Sequence, residues 1–405
     1  MKKLVSLILV LLTVFSLVAC QKSSEEKPNN LFSHGLVPYR VGMLWGFMDQ
    51  NGQAAIAPAY QMVWSFASNG LAAVCTGEKW GFINTKGEMV IQPQYDLTVG
   101  FCEDGFAIVR LNDECCAVIN EKNEVIASAY HINAGTGGFG SVGLLPGAER
   151  TIQKNEDGTE EYVRRWGYLD RKGRWAIQPQ FDYANAFSDT GFARVEIDGK
   201  YGYIDKKGTL VIPAEYEIAT DFTEDGRAVV GVRNDSGDLK YGYIDEEGTM
   251  VIAPIYDDAY PFASNGRAMV KMGVRYGYIN ETGYLVIQPQ YAEAHDYGEN
   301  GIAYVLPYVE NAPWCYIDAE GNEVDPKDYQ DTGDKNKLTR SWENGKYGYT
   351  TGTGEIAIAA VYNYATHFYD DGYAIVKKDG KTYIMDTTGG LVETVPCDEI
   401  MPRVY

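Results

Sequence analysis

The chain has 405 residues, of which 45% are hydrophobic, and its 35 Lys and Arg residues against 56 Asp and Glu residues give a formal net charge of −21. Such a chain can bury a large core, while its acidic surface repels phosphate backbones and anionic lipid headgroups. The composition therefore argues against nucleic acid as a partner.

The N-terminus has the composition of an export signal. Two lysines precede an apolar run from Leu4 to Val18, which is too short and wrongly flanked for a membrane-spanning helix. The segment Leu17-Val18-Ala19-Cys20 resembles the bacterial lipobox, whose cysteine is diacylated and becomes the first residue of the mature protein. We therefore expect a lipoprotein signal peptide over residues 1–19 and lipidation of Cys20.

Residues 20–30 are expected to be the lipidated cysteine followed by a flexible tether, because this segment is polar and low in apolar content. The resemblance to lipoproteins implies two lipid chains, which can hold a protein at a membrane. The predicted location is therefore the cell membrane, lipid-anchored and extracytoplasmic, with the membrane as a partner through the N-terminal lipid.

One stretch, Tyr241–Tyr256, shows how the folded chain from residue 31 onwards is built. Its aromatic residues alternate with Gly242 and Ile244, which favours a strand. A tight turn is predicted next, with Gly248 at positive φ, and β-branched residues then favour a second strand that ends near Pro254. The stretch is predicted to be a β-hairpin.

About ten copies of this hairpin follow one another at a spacing of about 35 residues. A second half reads Gly-x-Ala-x-Val, as at Gly266, Ala268 and Val270, and predicts a third strand whose small residue meets a close neighbour. Altered copies start at Cys116 and Trp314, and a tenth lies near Tyr383. The regular copies begin at Trp45-Gly46, Trp80-Gly81, Trp166-Gly167, Tyr201-Gly202, Tyr241-Gly242, Tyr276-Gly277 and Tyr347-Gly348.

These residues resemble the WG repeat family of bacterial proteins, whose pattern is aromatic-Gly-aromatic-Ile-Asp, then Gly, Val-Ile, Pro and Tyr-Asp, as in Trp80 to Asp96. The resemblance covers nearly all of residues 41–395. It supports an all-β fold, a tandem array of units with three antiparallel strands each, in which the aromatic-glycine pairs are structural. The family has no assigned catalytic residues, so the resemblance implies no activity.

Propellers close with about four to eight blades of four strands, whereas about ten units of about three strands are predicted here. An open β-superhelix or solenoid is therefore expected, with the altered terminal copies as caps, and propeller-like closure of part of the chain is the alternative. The array spans residues 31–405. Insertions at about 131–165 and 330–346 are expected to be long surface loops, either functional or tolerated padding.

Patterns that suggest chemistry have simpler structural explanations. Gly135 to Gly140 has the spacing of a dinucleotide fingerprint, but no helix is predicted after it. The Asp of each hairpin turn suggests calcium, yet an Asx turn accounts for it, and Asn replaces it at Asn84. Neither a cofactor nor a metal is therefore expected.

Histidine and cysteine give no clear site either. The histidines lack metal-ligand spacing and a nucleophile partner, so ordinary surface or core roles are expected. The cysteines match neither a zinc site nor a disulfide framework and are expected to act as small apolar residues, with disulfides left open because the compartment can be oxidising. These residues are His34, His131, His295, His367, Cys75, Cys102, Cys115, Cys116, Cys315 and Cys397.

The variable positions of the third strands are the candidate binding face. If they point outward, they form a ladder of aromatic and Arg side chains suited to stacking on sugars or gripping a peptide. Alternatively, they pack on the adjacent unit as a second core layer. The candidates are Phe106, Phe192, Arg194, Arg227, Arg267, Met269 and Tyr373.

These features predict a surface-anchored lipoprotein, monomeric and without catalysis, that binds or scaffolds a protein or glycan. The alternative is a carbohydrate-active enzyme on a β-repeat scaffold, because carboxylates are abundant although sequence spacing does not pair them. A transporter-linked solute receptor fits less well, since such receptors usually have two α/β lobes and no helical periodicity follows Cys20.

Overall fold

The computed structural model describes residues 30–113, 115–133, 138–154, 158–298, 300–310, 312–325, 338–351 and 355–401. The predicted signal peptide, Cys20 and the tether up to residue 29 lie outside the described residues, as do residues 135–137 of the glycine-rich segment and 330–337 of the second insertion. The described residues form strands, turns and irregular segments, with no helix. Across these ranges there is accordingly no helix of the length and apolar character needed to cross a membrane.

The first strands of the described chain are β1 (Leu36–Val41), β2 (Leu44–Asp49), β3 (Ala54–Tyr60), β4 (Met62–Val63), β5 (Leu71–Thr76), β6 (Lys79–Asn84), β7 (Met89–Tyr95), β8 (Leu97–Phe101), β9 (Phe106–Asn112), β10 (Cys115–Asn120), β11 (Val125–Ala129), β12 (His131–Ile132), β13 (Leu144–Lys154), β14 (Glu160–Asp170) and β15 (Trp175–Phe181).

The strands that follow are β16 (Tyr183–Ala184), β17 (Ala193–Ile197), β18 (Lys200–Ile204), β19 (Leu210–Tyr216), β20 (Ile218–Ala219), β21 (Arg227–Arg233), β22 (Leu239–Asp245), β23 (Met250–Tyr256), β24 (Asp258–Phe262), β25 (Arg267–Met272), β26 (Arg275–Asn280), β27 (Leu285–Ala294), β28 (Ala303–Pro307), β29 (Cys315–Ile317), β30 (Glu323–Val324), β31 (Thr339–Glu343), β32 (Lys346–Thr350), β33 (Ile356–Tyr362), β34 (Tyr364–Ala365), β35 (Tyr373–Lys378), β36 (Lys381–Asp386), β37 (Leu391–Glu393) and β38 (Glu399–Ile400).

Most sheets contain four strands, as in the order β4-β5-β6-β7, so the three predicted strands gain a fourth. The crossing segment supplies it: Ala184 of β16 lies opposite Val195 of β17, and Ala219 of β20 lies opposite Val230 of β21. A two-residue strand carries too little periodicity to be read from sequence. The all-β tandem array of antiparallel units is confirmed, while the choice between an open superhelix and a propeller-like closure stays a prediction.

The glycine of each aromatic-glycine pair faces a bulge in the next strand. The register between β22 and β23 shifts across Gly242, between Tyr241 and Tyr243. A Cβ on Gly242 would lie 2.5 Å from the carbonyl oxygen of Ile252. The six other regular copies show the same approach, at 2.4 to 2.6 Å. No side chain fits at such a distance, which explains the repeated glycine.

The same bulge explains why the second strand extends past the proline. β23 runs through Pro254 and ends at Tyr256, so the proline lies inside the strand. A residue in a bulge is not required to donate a ladder hydrogen bond, and proline is tolerated there. Tyr256 then pairs with Tyr241 and is buried.

Both faces of the central sheets are buried. Ala228 and Val230 of β21 belong to one apolar cluster with Tyr203 of the preceding sheet. On the opposite face, Tyr243 shares a cluster with Val270 of the following sheet. Successive cores therefore lie between successive sheets, which is how sheets that pack face to face bury their side chains.

The Asp or Asn of each hairpin turn accepts backbone hydrogen bonds. Oδ1 of Asp245 accepts from the amides of Glu247 at 3.2 Å and Thr249 at 2.7 Å, and Gly248 has a φ of 79°. Asn84 accepts from the equivalent amides at 3.0 Å. The predicted Asx turn is confirmed, and it explains why Asp and Asn exchange at this position.

The described residues form two compact units, unit 1 within residues 1–180 and 397–405 and unit 2 within residues 181–396. Within unit 1, β38 pairs with β1, and the Arg40 guanidinium lies 3.0 Å from the Glu399 carboxylate. The C-terminal residues thus complete the first sheet, and they cover its edge strand in place of a separate cap.

The first insertion is a hairpin extension and not the expected loop. β13 and β14 pair without interruption from Leu144 opposite Asp170 to Lys154 opposite Glu160. β-branched and aromatic residues such as Thr151, Val163 and Tyr162 favour strands even where the surrounding residues are charged. The described end of the second insertion similarly supplies β31.

Candidate functional site

The structure places the apolar members of the predicted face against cores. Met269 is 5% exposed and lies in one cluster with Tyr278. Phe106 and Phe192 are half-buried, with ring centroids 5.2 Å from Phe139 and 5.4 Å from Phe222 respectively. Tyr373, also half-buried, lies opposite Asp386. An outward ladder is wrong for these side chains, because the face that carries them packs on other parts of the protein.

The three arginines of that face are half-buried and engaged within the protein. Arg194 donates to the Ala219 carbonyl, and its Nε lies 3.3 Å from the Asp221 carboxylate. Arg227 forms an ion pair with Asp225 at 3.0 Å. The Nε of Arg267 donates to the Ala319 carbonyl at 3.1 Å. These side chains hold loops in place, and the structure does not bring the predicted residues together as one surface.

An exposed aromatic surface is found at the altered eighth copy. In β28, Ala303 and Val305 face the core, so Tyr304 points to the other side, opposite Tyr316 of β29. Trp314 directly precedes β29, and its ring stacks on Tyr304. Tyr304 is 36% exposed, whereas Met269, the equivalent residue of the preceding copy, is 5% exposed. This copy therefore exposes a face that the preceding copy buries.

The aromatic platform consists of His295, Tyr304, Trp314 and Tyr316. The Tyr304 and Trp314 rings are stacked at a centroid distance of 4.6 Å with 17° between their planes. His295 lies 5.6 Å from Trp314 and 6.1 Å from Tyr304, nearly parallel to the latter at 19°. Tyr316 lies 4.7 Å from Tyr304. Such stacks are rigid and expose ring surface with polar tips.

A hydrogen bond of the regular repeat positions His295. The buried Tyr278 hydroxyl donates to the His295 carbonyl at 2.7 Å. Tyr243 and Tyr349 make the same bond to Tyr260 and Thr366, both at 2.8 Å. The main chain of the platform is therefore fixed by an interaction that also serves other repeats.

Asp296 supplies a carboxylate beside the platform. It is exposed, yet protein surrounds it so closely that burial raises the pKa of its carboxyl, an effect that neighbouring His295 opposes. The negative charge of Asp296 adds to burial in raising the pKa values of the Tyr243 and Tyr278 hydroxyls, so the carboxylate lies close to both.

Tyr260 adds a further polar group. Burial is the main cause that raises the pKa of its hydroxyl to about 12, and the charges of Asp258 and Asp296 contribute. The hydroxyl lies 3.2 Å from Oδ2 of Asp258. The platform itself combines apolar ring faces with the tyrosine hydroxyls of Tyr304 and Tyr316, which hydrogen-bond to hydroxyls.

The sequence did not single out these residues, although one signal was present. The eighth copy has Cys315 where the regular copies need glycine, and β29 pairs with β30 only through Tyr316 and Ile317. The close approach of the next strand, which excludes a Cβ in the regular copies, is therefore missing here. The Trp314-Cys315 pair in place of aromatic-glycine was the sequence signal that this unit packs differently.

The remaining histidine and cysteine side chains lie in more ordinary surroundings than the platform. A ring nitrogen of His34 is hydrogen-bonded to the Ala67 carbonyl at 2.9 Å. Burial and Arg340 lower the pKa of His367. The cysteines of the described ranges are free thiols, and burial, reinforced by Asp104, raises the pKa of Cys102 to about 12. Over those same ranges, no group of three or more His, Cys, Asp or Glu side chains is arranged to hold a metal ion.

Several solved structures align with this chain at low similarity. A eukaryotic initiation factor aligns with a TM-score of 0.44 and 12% identity over 81% of this chain and 96% of that chain. BamB from Moraxella catarrhalis aligns with a TM-score of 0.29 and 9% identity over 79% and 89%. Hsv2p from Kluyveromyces lactis aligns with a TM-score of 0.32 and 8% identity over 63% and 94%.

No curated protein matches the chain in sequence. The family described as WG containing repeat matches at residues 45–80, 80–115, 166–201, 201–234, 241–273, 276–306 and 347–381, which together make up more than half of the chain. These segments begin at the seven regular aromatic-glycine pairs or run from one pair to the next, and the glycine of every pair faces a bulge. The chain belongs to the WG containing repeat family.

Proposed function

We propose that this protein is a lipid-anchored binding module of the bacterial cell surface, without catalysis, and that its aromatic platform takes a neutral glycan. The observation that carries the proposal is the stack of the partly exposed Tyr304 on the half-buried Trp314 in unit 2. Asp296 directly follows His295, another member of the same platform. An exposed, rigid aromatic surface with adjacent hydrogen-bonding groups is a recognition surface more often than a structural one.

The chemistry of the site matches a pyranose ring better than a peptide. A pyranose has a face of C–H groups, which packs on the electron-rich face of an aromatic ring, and hydroxyls around its edge. The Asp296 carboxylate accepts hydrogen bonds from such hydroxyls, and tyrosine hydroxyls both donate and accept. The formal charge of −21 disfavours anionic sugars, so the glycan is neutral.

The N-terminal sequence supports the anchor. A lysine-flanked apolar run ends in Leu17-Val18-Ala19-Cys20, and residues 21–29 are polar. Diacylation of Cys20 places the repeats outside the cytoplasmic membrane at the end of a tether. In a bacterial host, the full chain should incorporate radiolabelled palmitate, and Cys20→Ala should abolish both the label and sedimentation with membranes.

The binding role is tested with residues 21–405 on an array of neutral and acidic oligosaccharides. We expect saturable binding to neutral glycans, weaker for Tyr304→Ala, and a monomer by light scattering. Binding to no glycan, combined with capture of an envelope protein that Tyr304→Ala does not weaken, would show that the partner is a protein at another surface.

A carbohydrate-active enzyme is the second candidate, because burial raises the pKa of the Asp296 carboxyl. A carboxyl that stays protonated to higher pH is suited to act as a general acid. The enzyme role predicts new reducing ends when the protein is incubated with cell-wall or plant glycans, and loss of that release in Asp296→Asn. Binding without release in both proteins supports the non-catalytic role.

A further inference from the structure

The face of β28 that carries Tyr304 continues beyond the aromatic platform. Ala303 and Val305 belong to a core cluster of unit 2, so Tyr304 and Leu306 point to the opposite side of the sheet. Leu306 is half-buried and lies opposite Glu293 of β27. The outward face therefore extends along the strand by at least one further residue pair.

Tyr308 directly follows β28 and lies on the same outward face. Its amide donates to the Gln290 carbonyl at 2.9 Å, so the pairing with β27 continues to this residue. The guanidinium carbon of Arg275 lies 4.6 Å from the Tyr308 ring centroid. Tyr276 packs against the same core cluster, so its neighbour Arg275 points away from that core, as does the Tyr308 ring beneath it. Tyr308 is 49% exposed and offers ring surface to a ligand.

The three side chains Tyr304, Leu306 and Tyr308 form a strip along β28. The two tyrosines are four residues apart, which corresponds to about 14 Å along a strand, and Leu306 lies midway. A single sugar ring is much shorter than this separation. A sugar on Tyr304 therefore does not reach Tyr308, whereas an extended chain of sugars does.

Glu293 supplies a carboxylate beside the middle of the β28 strip. It is exposed, and its neighbour Ala294 packs against the core cluster, so the Glu293 side chain points to the outward face. Within the described part of the chain, neither a hydrogen bond nor an ion pair engages this side chain. A carboxylate accepts hydrogen bonds from hydroxyls, and its charge strengthens them. Glu293 is thus available to the hydroxyls of a sugar that lies over Leu306.

We propose that the site binds a linear oligosaccharide that lies along β28, from the aromatic platform across Leu306 to Tyr308. Sugar rings at the two ends pack their C–H groups on Tyr304 and Tyr308, and a sugar between them donates hydroxyl hydrogen bonds to Glu293. The proposal rests on the glycan role of the platform. It adds the length of the ligand, a second stacking position and a residue that reads the hydroxyls.

Calorimetric titration of residues 21–405 with cellobiose and cellohexaose, and with chitobiose and chitohexaose, tests the length of the site. We expect the hexaose to bind about tenfold more tightly than the biose, because it reaches both stacking positions. Tyr308→Ala should remove most of this gain, and it is expected to fold because Tyr308 lies half-exposed after the end of a strand. Tyr284→Ala, which removes a 69% exposed tyrosine of the same unit, should keep the gain.

Glu293→Gln tests the hydroxyl contact separately, because it keeps the shape of the side chain and removes its charge. Binding of the hexaose should weaken about threefold, since an ionised acceptor makes the stronger hydrogen bond. Glu281→Gln, at an exposed carboxylate in the turn between β26 and β27, is the charge-matched control and should bind like the unchanged protein.

Equal affinity for the biose and the hexaose, or equal hexaose affinities in Tyr308→Ala and Tyr284→Ala, would overturn the extended site. If Tyr304→Ala still weakened binding in that case, the glycan role of the platform would stand. Equal affinities in Glu293→Gln and Glu281→Gln would overturn the role of Glu293. Absence of binding to all four oligosaccharides would overturn the extended site and the glycan role together.

Discussion

The hydroxyl of Tyr278 donates a hydrogen bond of 2.7 Å to the carbonyl of His295. One partner is the second aromatic of a regular repeat, and the other begins the aromatic platform. Tyr349 makes the equivalent bond to Thr366 in a repeat that has no such platform described beside it. Comparing these two hydrogen bonds therefore distinguishes an effect on folding, which both should show, from an effect on the platform, which only the bond to His295 should show.

Tyr278→Phe and Tyr349→Phe each delete one buried hydroxyl and leave a carbonyl without its donor. Both variants should lose about 1 to 3 kcal/mol of unfolding free energy, measured by urea denaturation. Only Tyr278→Phe should also weaken glycan binding, because it loosens the main chain at His295. Equal glycan affinity in both variants would show that this hydrogen bond does not position the platform.

Gly242→Ala tests the close approach that defines the repeat. Its Cβ would lie 2.5 Å from the Ile252 carbonyl oxygen. This oxygen belongs to the main chain and cannot move aside by a change of side-chain rotamer. A loss of about 1 to 3 kcal/mol in unfolding free energy is expected. The reverse change, Ala117→Gly, is at the equivalent position without a bulge and should cost less, about 0.5 to 1 kcal/mol. If the two changes cost the same, the bulge contact is not what selects glycine.

The pKa of the Asp170 carboxyl tests whether the hydrogen bonds of the Asx turn favour its ionised form. Hydrogen bonds from the side chain and amide of Arg174 lower the pKa of its carboxyl to about 2. The ionised form is thus favoured in the folded protein, so its contribution to stability is complete above the unfolded pKa, about 3.9. That contribution is lost as the pH falls through about 2.

Carboxyl NMR titration should find the Asp170 midpoint near that value and show it rising in Arg174→Gln. Asp205, whose pKa is lowered chiefly by the Thr209 amide, is the internal control and should not move. An unchanged Asp170 midpoint in Arg174→Gln would assign the lowered pKa to the turn amides alone.

The contribution of Asp296 to stability should depend on pH in the opposite sense to that of Asp170, because burial raises the pKa of the Asp296 carboxyl. The desolvation penalty is absent below the unfolded pKa, sets in as the pH rises and is complete above the raised folded pKa. Asp296→Asn should therefore gain stability relative to the unchanged protein between about pH 4 and pH 7. Urea denaturation at both pH values measures this, and a stability difference that does not change with pH would place Asp296 in an ordinary solvated position.

Local sequence chemistry predicted the interior of the repeat well. The positive φ of Gly248, the acceptor role of Asp245 and the burial of Ala268 and Val270 follow from turn geometry and strand alternation. Each of these depends on residues close in the chain, which a single sequence contains. The fourth strand was missed because a pair such as Tyr183-Ala184 is ordered by its partner β17 and not by its own pattern.

Surface exposure could not be predicted in the same way. Met269 and Tyr304 occupy equivalent strand positions, yet one is buried and the other is partly open. The difference depends on what packs against each face, and alternation alone carries no information on that. The platform also unites residues from three segments, which the pairing of β28 with both β27 and β29 brings together.

The most direct measurement is calorimetric titration of residues 21–405 with chitotetraose and cellotetraose, comparing the unchanged protein with Tyr304→Ala and Tyr284→Ala. Tyr284 is a 69% exposed tyrosine of the same unit outside the platform, so its variant is the matched control. Saturable binding is expected, weakened about tenfold by Tyr304→Ala, because an aromatic stacking contact contributes about 1 kcal/mol or more. Tyr284→Ala should leave the affinity unchanged. Absence of binding to both glycans, or equal affinities in the two variants, would contradict the platform as the glycan site.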